Sequence, residues 1–181
     1  MPVTVDFTTG RLNGSAVAES SRNLADLAGV FLDEAARQAL PPNQLAYRVQ
    51  LYLPVPEGTQ GGLFWGNTFI EPGLVGDEYF MTKGHFHAQR DRAEYYTTVQ
   101  GHGALILMDE AGHTWHEVMH PGSVHYIPGR TAHRVANTGD TVLSFLACWP
   151  SDAGHDYETI VNQGFGARMR AVNGKPELIP N

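Results

Sequence analysis

The chain has 181 residues, which favours one domain with enough length to bury a core without disulfide or metal staples. Its single cysteine excludes an intrachain disulfide framework and a cysteine-rich zinc site, and its formal net charge of −7 argues against a general nucleic-acid binder. Twenty glycines, 11 prolines and 42% hydrophobic residues are typical of a folded, turn-rich β protein.

The N-terminal region is predicted to be helical and to carry no targeting segment. No basic stretch precedes an apolar run, and no stretch approaches 18 consecutive apolar residues, so we expect neither a signal peptide nor a membrane span. Apolar side chains recur every three or four positions over residues 20–40, which predicts a helix in one piece or in two pieces divided at Gly29. Pro41-Pro42 ends the helical pattern.

From Leu45 onward the pattern changes to short strands between turns. These segments are rich in Val, Tyr, Phe, Thr and Leu, and Gly, Pro, Asn and Asp separate them. The predicted strands are 45–53, 63–70, 94–100, 103–108, 113–118, 124–127, 132–137 and 141–148. Many short strands at this spacing favour an all-β sandwich or barrel.

The C-terminal region is predicted to hold a short helix and a hairpin. The helix covers residues 156–162 and is closed by Gly164, and the hairpin covers residues 165–179 with a type I′ turn at Asn173-Gly174. The chain is therefore predicted to be a single domain with three parts. These parts are an N-terminal helical extension (1–44), a barrel core (45–155) and a C-terminal helix and hairpin (156–181).

All nine histidines lie between His85 and His155, which suggests a shared task in that window. His85 and His87 stand two apart, so on a strand both side chains point to the same face. Glu94 and His133 could join them from other strands. Three imidazoles and one carboxylate would leave open positions on a divalent first-row metal, as a catalytic site requires.

The surroundings of these four residues resemble the paired motifs of the cupin superfamily. Glu94 is followed after six residues by Gly101. The second motif runs Gly122, five residues, Pro128, Arg130, His133, Asn137. Two features depart from the superfamily pattern: six residues separate His87 from Glu94, and Arg130 stands where a glycine is expected. The resemblance implies a double-stranded β-helix, or jelly-roll, barrel.

Further segments resemble a narrower family, the cupin-type glucose-6-phosphate isomerases of archaea and some bacteria. They are Asp77-Glu78-Tyr79-Phe80, Thr82-Lys83-Gly84-His85-Phe86-His87, Arg92-Ala93-Glu94 and Asp152-Ala153-Gly154-His155-Asp156-Tyr157. The long interval between His87 and Glu94 is normal in that family. This resemblance spans about residues 20–165.

The resemblance implies a metal-dependent interconversion of glucose 6-phosphate and fructose 6-phosphate in glycolysis and gluconeogenesis. The implied metal ligands are His85, His87, Glu94 and His133. Glu94 and His155 are the implied catalytic residues, and the sequence leaves open an enediol route or a hydride shift. The implied substrate contacts are Thr68, Thr82 and Gly84 at the phosphate, and Tyr96 and Tyr157 along the sugar.

The expected cofactor is one divalent transition metal per subunit, with iron favoured and manganese, nickel or zinc as alternatives. The expected partner is a small sugar phosphate, with no nucleic acid and no membrane. We expect a homodimer in the cytoplasm.

Two other functions fit the same ligand set. One is a mononuclear-iron cupin dioxygenase, because a site with open metal positions also suits oxygen chemistry. The other is a non-catalytic sugar-binding cupin, which would be stabilised by its ligand without turnover. The segment around His155 favours the isomerase.

Overall fold

The computed structural model describes residues 2–181, which form 15 strands, two short α-helices and one 3-10 helix. The first elements are β1 Thr4–Val5, β2 Leu12–Asn13, β3 Val17–Asn23, the 3-10 helix Leu24–Leu27, α1 Glu34–Ala39, β4 Leu45–Tyr52, β5 Leu63–Ile70, β6 Leu74–Val75 and β7 Glu78–Tyr79. The remaining elements are β8 Glu94–Gln100, β9 Gly103–Asp109, β10 Thr114–Met119, β11 Val124–Ile127, β12 Thr131–Asn137, β13 Leu143–Pro150, α2 Tyr157–Gln163, β14 Ala167–Val172 and β15 Lys175–Pro180.

The described residues form four antiparallel sheets, of which two form the walls of the barrel. One has six strands in the order β11-β8-β13-β5-β4-β3, and the other has three in the order β10-β9-β12. The segment before His87 extends the smaller sheet, because Met81 pairs with Ala136 and His85 pairs with His133 along the outer edge of β12. The predicted all-β cupin barrel is confirmed.

The burial pattern of the strands shows which side chains face the interior of the barrel. All seven residues of β12 and the first six of β9 are buried, so these strands are covered on both faces. In β8 burial alternates at its start, with Glu94 and Tyr96 buried and Tyr95 exposed. This alternation turns Glu94 and Tyr96 into the barrel.

The strand predictions from residue 45 onward are confirmed in position. β5, β8 and β11 coincide with the predicted ranges, and the other five strands differ by one or two residues at their ends. The C-terminal helix and hairpin are confirmed as well. Asp156 caps α2 by accepting a hydrogen bond from the Thr159 N–H, and Asn173 and Gly174 both have positive φ, as a type I′ turn requires.

The predicted helix over residues 20–40 is wrong for much of its length. Residues 17–23 form β3, which pairs with β4 at the edge of the larger sheet, and only residues 34–39 are α-helical. The apolar side chains Leu24, Leu27 and Phe31 are indeed buried, but they reach the core from a 3-10 turn and a loop. Tertiary pairing with β4 therefore outweighs the local helical spacing.

Two residues of the cupin motifs have structural roles. Gly101 has a φ of +79°, and a Cβ there would lie 2.5 Å from the Val142 carbonyl oxygen, so only glycine fits the turn between β8 and β9. Asn137 is fully buried at the end of β12. Its amide donates to the carbonyls of Ile70 and Thr141 at 2.9 and 2.8 Å, and its Oδ1 accepts from the Gly139 N–H.

In the part of the chain that the structure describes, no helix is both long and apolar enough to cross a membrane.

Replacing Asn137 by alanine should lower the free energy of unfolding by about 2–4 kcal/mol, because buried carbonyl and amide groups lose their partners. Urea denaturation measures this loss. Asn13→Ala is the matched control, since Asn13 is exposed and its one side-chain hydrogen bond spans 3.4 Å. Equal stability of the two variants would contradict the role assigned to Asn137.

Candidate metal centre

The backbone pairing of His85 with His133 builds the first half of the site. The His85 N–H donates to the His133 carbonyl at 3.2 Å, and the His133 N–H donates to the His85 carbonyl at 3.0 Å. Residues paired in this way across antiparallel strands direct their side chains to the same face. The two imidazole rings accordingly lie 4.4 Å apart, centre to centre. His87 follows on the same side, with its ring 5.3 Å from that of His133.

Glu94 approaches from the opposite sheet, at the start of β8. Its Oε1 lies 2.5 Å from His133 Nε2 and 3.5 Å from His87 Nε2. The Nδ1 of His87 lies 2.8 Å from the Arg92 carbonyl oxygen, which can only accept a hydrogen bond. That contact places the proton of neutral His87 on Nδ1 and leaves the Nε2 lone pair directed toward Glu94.

The charges of this cluster suit a cation. Burial alone would raise the pKa of the Glu94 carboxyl, but the imidazoles of His133 and His87 outweigh it and hold that pKa far below its ordinary value. Burial and the neighbouring rings of His133 and His155 lower the pKa of His85 well below its ordinary value. Glu94 is therefore ionised and His85 neutral near pH 7, which are the forms that bind a metal.

The donor set also fits a metal geometrically. One donor atom from each of His85, His87, Glu94 and His133 can be chosen so that all four lie within 4.8 Å of one another. Among residues 2–181, Glu94 Oε1 and His133 Nε2 are buried without a hydrogen bond of good geometry, although they lie only 2.5 Å apart. A cation bound between these two atoms would accept a lone pair from each, so neither atom would stay buried without a partner. The group could therefore hold a metal ion.

The four side chains stand at the wall of a cavity of about 650 Å³. All the residues that the sequence analysis placed at the substrate line this same cavity: Thr68, Thr82, Gly84, Tyr96, His155 and Tyr157. Their roles stay predictions, but the structure brings them together around one space. That volume lies in the range of sites for small-molecule ligands.

Thr82 and Gly84 present donors to the cavity from one turn of chain. The Thr82 Oγ1 accepts a hydrogen bond from the Val135 N–H at 3.1 Å, so its hydroxyl hydrogen is available to a ligand. Gly84 has a φ of +76°, and a Cβ there would lie 2.8 Å from the Phe165 ring. Glycine is thus required for this turn to pack closely.

Aromatic residues cover the metal cluster on its cavity side. The His155 ring lies 4.5 Å from that of His85 and stacks on Tyr157 at 5.5 Å, with an interplanar angle of 6°. The Tyr96 ring packs edge-on against His133 at 5.8 Å. Burial, and after it Glu94, raises the pKa of Tyr96 well above its ordinary value, so this phenol stays protonated and can donate a hydrogen bond.

Sequence reasoning missed several lining residues. Tyr47 lies on β4, two residues before Val49, and burial raises its pKa to about 12. The alternation along β4 could have found it. Arg134 and Arg168 also reach the cavity, from β12 and from β14 respectively. No local sequence pattern indicates that these two arginines line the cavity, because they come together only when the chain folds.

Apart from His155, five histidines lie outside the cluster. Four of them, His102, His113, His116 and His120, are exposed. His125 is buried instead, because its Nδ1 pairs with Glu117 at 2.6 Å and its Nε2 contacts the Ser123 hydroxyl at 2.8 Å.

Adding Mn²⁺ or Ni²⁺ should raise the Tm of the protein, because an ion that binds only the folded state stabilises it by about 2.7 kcal/mol at 100 times its Kd. His85→Ala should remove most of this shift, as measured by differential scanning fluorimetry. His116→Ala, which removes an exposed imidazole, is the matched control and should keep the full shift. An undiminished shift in His85→Ala would show that the ion binds elsewhere.

Comparisons with known proteins show which family the chain is similar to. The family described as "Glucose-6-phosphate isomerase (GPI)" matches residues 21–179. The glucose-6-phosphate isomerase of Pyrococcus horikoshii is 41% identical over 99% of this chain and 94% of its own length. That of Thermococcus litoralis is 40% identical over 96% of this chain and 90% of its own length.

Among solved structures, the oxalate decarboxylase of Lactobacillus farciminis has a partial likeness. Its TM-score is 0.47 with 22% identity, over 61% of this chain and 30% of that one. The relation in sequence is far stronger and runs through nearly every element described above. The chain belongs to the glucose-6-phosphate isomerase family.

Proposed function

We propose that this protein interconverts glucose 6-phosphate and fructose 6-phosphate in the cavity beside His85, His87, Glu94 and His133. One observation carries the proposal: three imidazoles and one carboxylate face a cavity that is also lined by Thr82 and Gly84, whose donors suit a phosphate, and by the stacked rings of His155 and Tyr157. The relatives in Pyrococcus and Thermococcus are named glucose-6-phosphate isomerase, which supports the same activity for this chain.

We assign the metal to these four ligands and propose iron as the native ion, with manganese, nickel or zinc as alternatives. Imidazole nitrogen and carboxylate oxygen are donors that first-row divalent metals share, so availability decides among them. When bound, the ion acts as a Lewis acid that stabilises negative charge developing on the substrate oxygens.

On the enediol route a proton leaves C2 and a proton reaches C1, and the chain's own groups handle both transfers. Glu94 is ionised and buried, so its carboxylate is the candidate general base as well as a ligand. His155 lies on the cavity side of His85, and burial and His87 lower its pKa, which keeps it neutral and able to accept a proton. Tyr96 and Tyr157 orient the sugar between them.

The phosphate is proposed to bind against Thr68, Thr82 and Gly84. The Thr82 hydroxyl hydrogen and the Gly84 N–H are both free of partners within residues 2–181. Local donors are needed, because a protein with a net charge of −7 has no general attraction for anions.

We further propose that the protein is a cytoplasmic homodimer. The outer face of the larger sheet supports the dimer, because Tyr95, Tyr126 and Val124 are each more than half exposed on adjacent strands. Tyr95 and Tyr126 contact each other with ring centres 5.2 Å apart. An apolar patch of this kind is typical of a protein contact surface.

Removing the metal should abolish isomerisation. Chelator-treated protein should convert fructose 6-phosphate at less than about a hundredth of the untreated rate, since Lewis-acid stabilisation of the oxyanion is a major part of the catalysis. Adding back Fe²⁺, Mn²⁺, Ni²⁺ or Zn²⁺ separately, with a coupled dehydrogenase to detect glucose 6-phosphate, measures recovery. Full activity in protein shown by elemental analysis to be metal-free would overturn the mechanism.

Thr82→Val should raise KM for fructose 6-phosphate about 10-fold or more with little change in kcat, because a hydrogen bond to a charged phosphate is lost equally in ground and transition states. Steady-state kinetics separates the two parameters. Thr97→Val is the matched control, since Thr97 lies on β8 outside the cavity. An unchanged KM in Thr82→Val would remove Thr82 from the phosphate site.

A further inference from the structure

The six residues between His87 and Glu94 fold against the segment that carries His155. The Gln89 N–H donates to the Ala153 carbonyl at 2.9 Å, and Phe86 exchanges both backbone hydrogen bonds with Asp156, at 3.2 and 2.8 Å. The two segments are therefore neighbours along their whole length, although more than 60 positions separate them in sequence.

Arg92 connects this contact to the metal cluster. Its Nε and Nη2 donate to Asp152 Oδ1 and Oδ2 at 2.9 and 2.8 Å. This two-point contact fixes the orientation of the guanidinium relative to the carboxylate. Its carbonyl oxygen lies 2.8 Å from His87 Nδ1 and orients that imidazole. One residue thus holds a metal-ligand candidate through its backbone and the His155 segment through its side chain.

Arg90 makes the second connection, at the other end of the same segment. Its Nη2 donates to Asp156 at 2.5 Å, its Nη1 donates to the His87 carbonyl at 3.1 Å, and its guanidinium lies 4.3 Å above the Phe86 ring. We use the name Arg–Asp clamp for the two pairs Arg92–Asp152 and Arg90–Asp156.

The clamp encloses His155, because its two aspartates lie at positions 152 and 156. Gly154, just before His155, has a φ of +58°, and a Cβ there would lie 3.0 Å from that of Ala88. The chain therefore turns tightly at Gly154 against the arginine-bearing segment. The backbone on both sides of His155 is thus held by the clamp, while its side chain is exposed to the cavity.

The clamp is poorly placed to serve stability alone. Its four charged side chains are between 23 and 41% exposed, and exposed ion pairs add little to folding. The clamp can matter more for the reaction rate than for stability, because a displacement of about 1 Å in a reacting group can lower the rate about 100-fold.

We infer that the Arg–Asp clamp sets the position of His155 over the metal cluster, which makes Arg92 and Asp152 positioning residues for the isomerisation. This inference rests on the proposed function. It also assigns a purpose to the long interval between His87 and Glu94: the extra residues carry the arginines that reach the His155 segment.

Steady-state kinetics of Arg92→Gln, with fructose 6-phosphate as substrate and the metal loaded, tests the inference. Arg92→Gln and, independently, Asp152→Asn should each lower kcat about 10- to 100-fold, with KM changed less than about three-fold. The Tm and the bound metal per chain should match those of the wild type. Arg130→Gln is the control, since it breaks the neighbouring Arg130–Asp91 pair, which is about two-thirds exposed.

A cycle with His155→Gln separates positioning from a general structural effect. If the clamp acts through His155, Arg92→Gln should lower kcat no further once His155 is glutamine. An unchanged kcat in both clamp variants, or the same fold-loss with and without His155, overturns the positioning role. An inactive wild type that binds metal overturns the proposed function itself, so the two failures are distinguishable.

Discussion

The buried Glu94 carboxylate is the constraint on which this site depends. It is ionised and only 5% exposed, and one of its oxygens faces two imidazole nitrogens without forming a hydrogen bond of good geometry. A buried carboxylate needs a positive or hydrogen-bonding partner, and losing that partner costs of order 3–5 kcal/mol. Despite burial, the imidazoles of His133 and His87 hold Glu94 ionised without an ion, and a cation shared with His85, His87 and His133 would take over that role, so the same carboxylate is available as a metal ligand.

The register of two sheets makes this arrangement possible. The hydrogen-bonded pair His85–His133 fixes two rings on one face, and the alternation of β8 turns Glu94 toward them from the facing sheet. The cavity follows from the same geometry, because inward positions of neighbouring strands lie next to one another. The proposed metal ligands, the proposed phosphate donors and the stacked pair of His155 with Tyr157 thus line one cavity, although they come from separate parts of the chain.

Sequence reasoning predicts the strands from apolar patterns and proposes most of the site residues from a family resemblance. Alternating and continuous apolar runs fix β5, β8 and β11, and the spacing of His85 with His87 requires only that they share a strand face. It failed over residues 20–23, which are predicted to be helical but belong to β3, because pairing with β4 outweighs local helical spacing. It also missed Arg134 and Arg168 as lining residues. It saw Arg92 and Asp152 only as parts of family motifs, because their mutual contact exists only after the chain has folded.

The most direct test of the account is anomalous diffraction from crystals of the Mn²⁺-loaded protein, collected with fructose 6-phosphate bound. We expect one strong peak per chain within about 2.0–2.3 Å of a nitrogen from each of His85, His87 and His133 and an oxygen of Glu94. We also expect the sugar carbons to lie between that peak and His155, with the phosphate against Thr82 and Gly84. A peak elsewhere, or a substrate bound away from the peak, would rule out the proposed site.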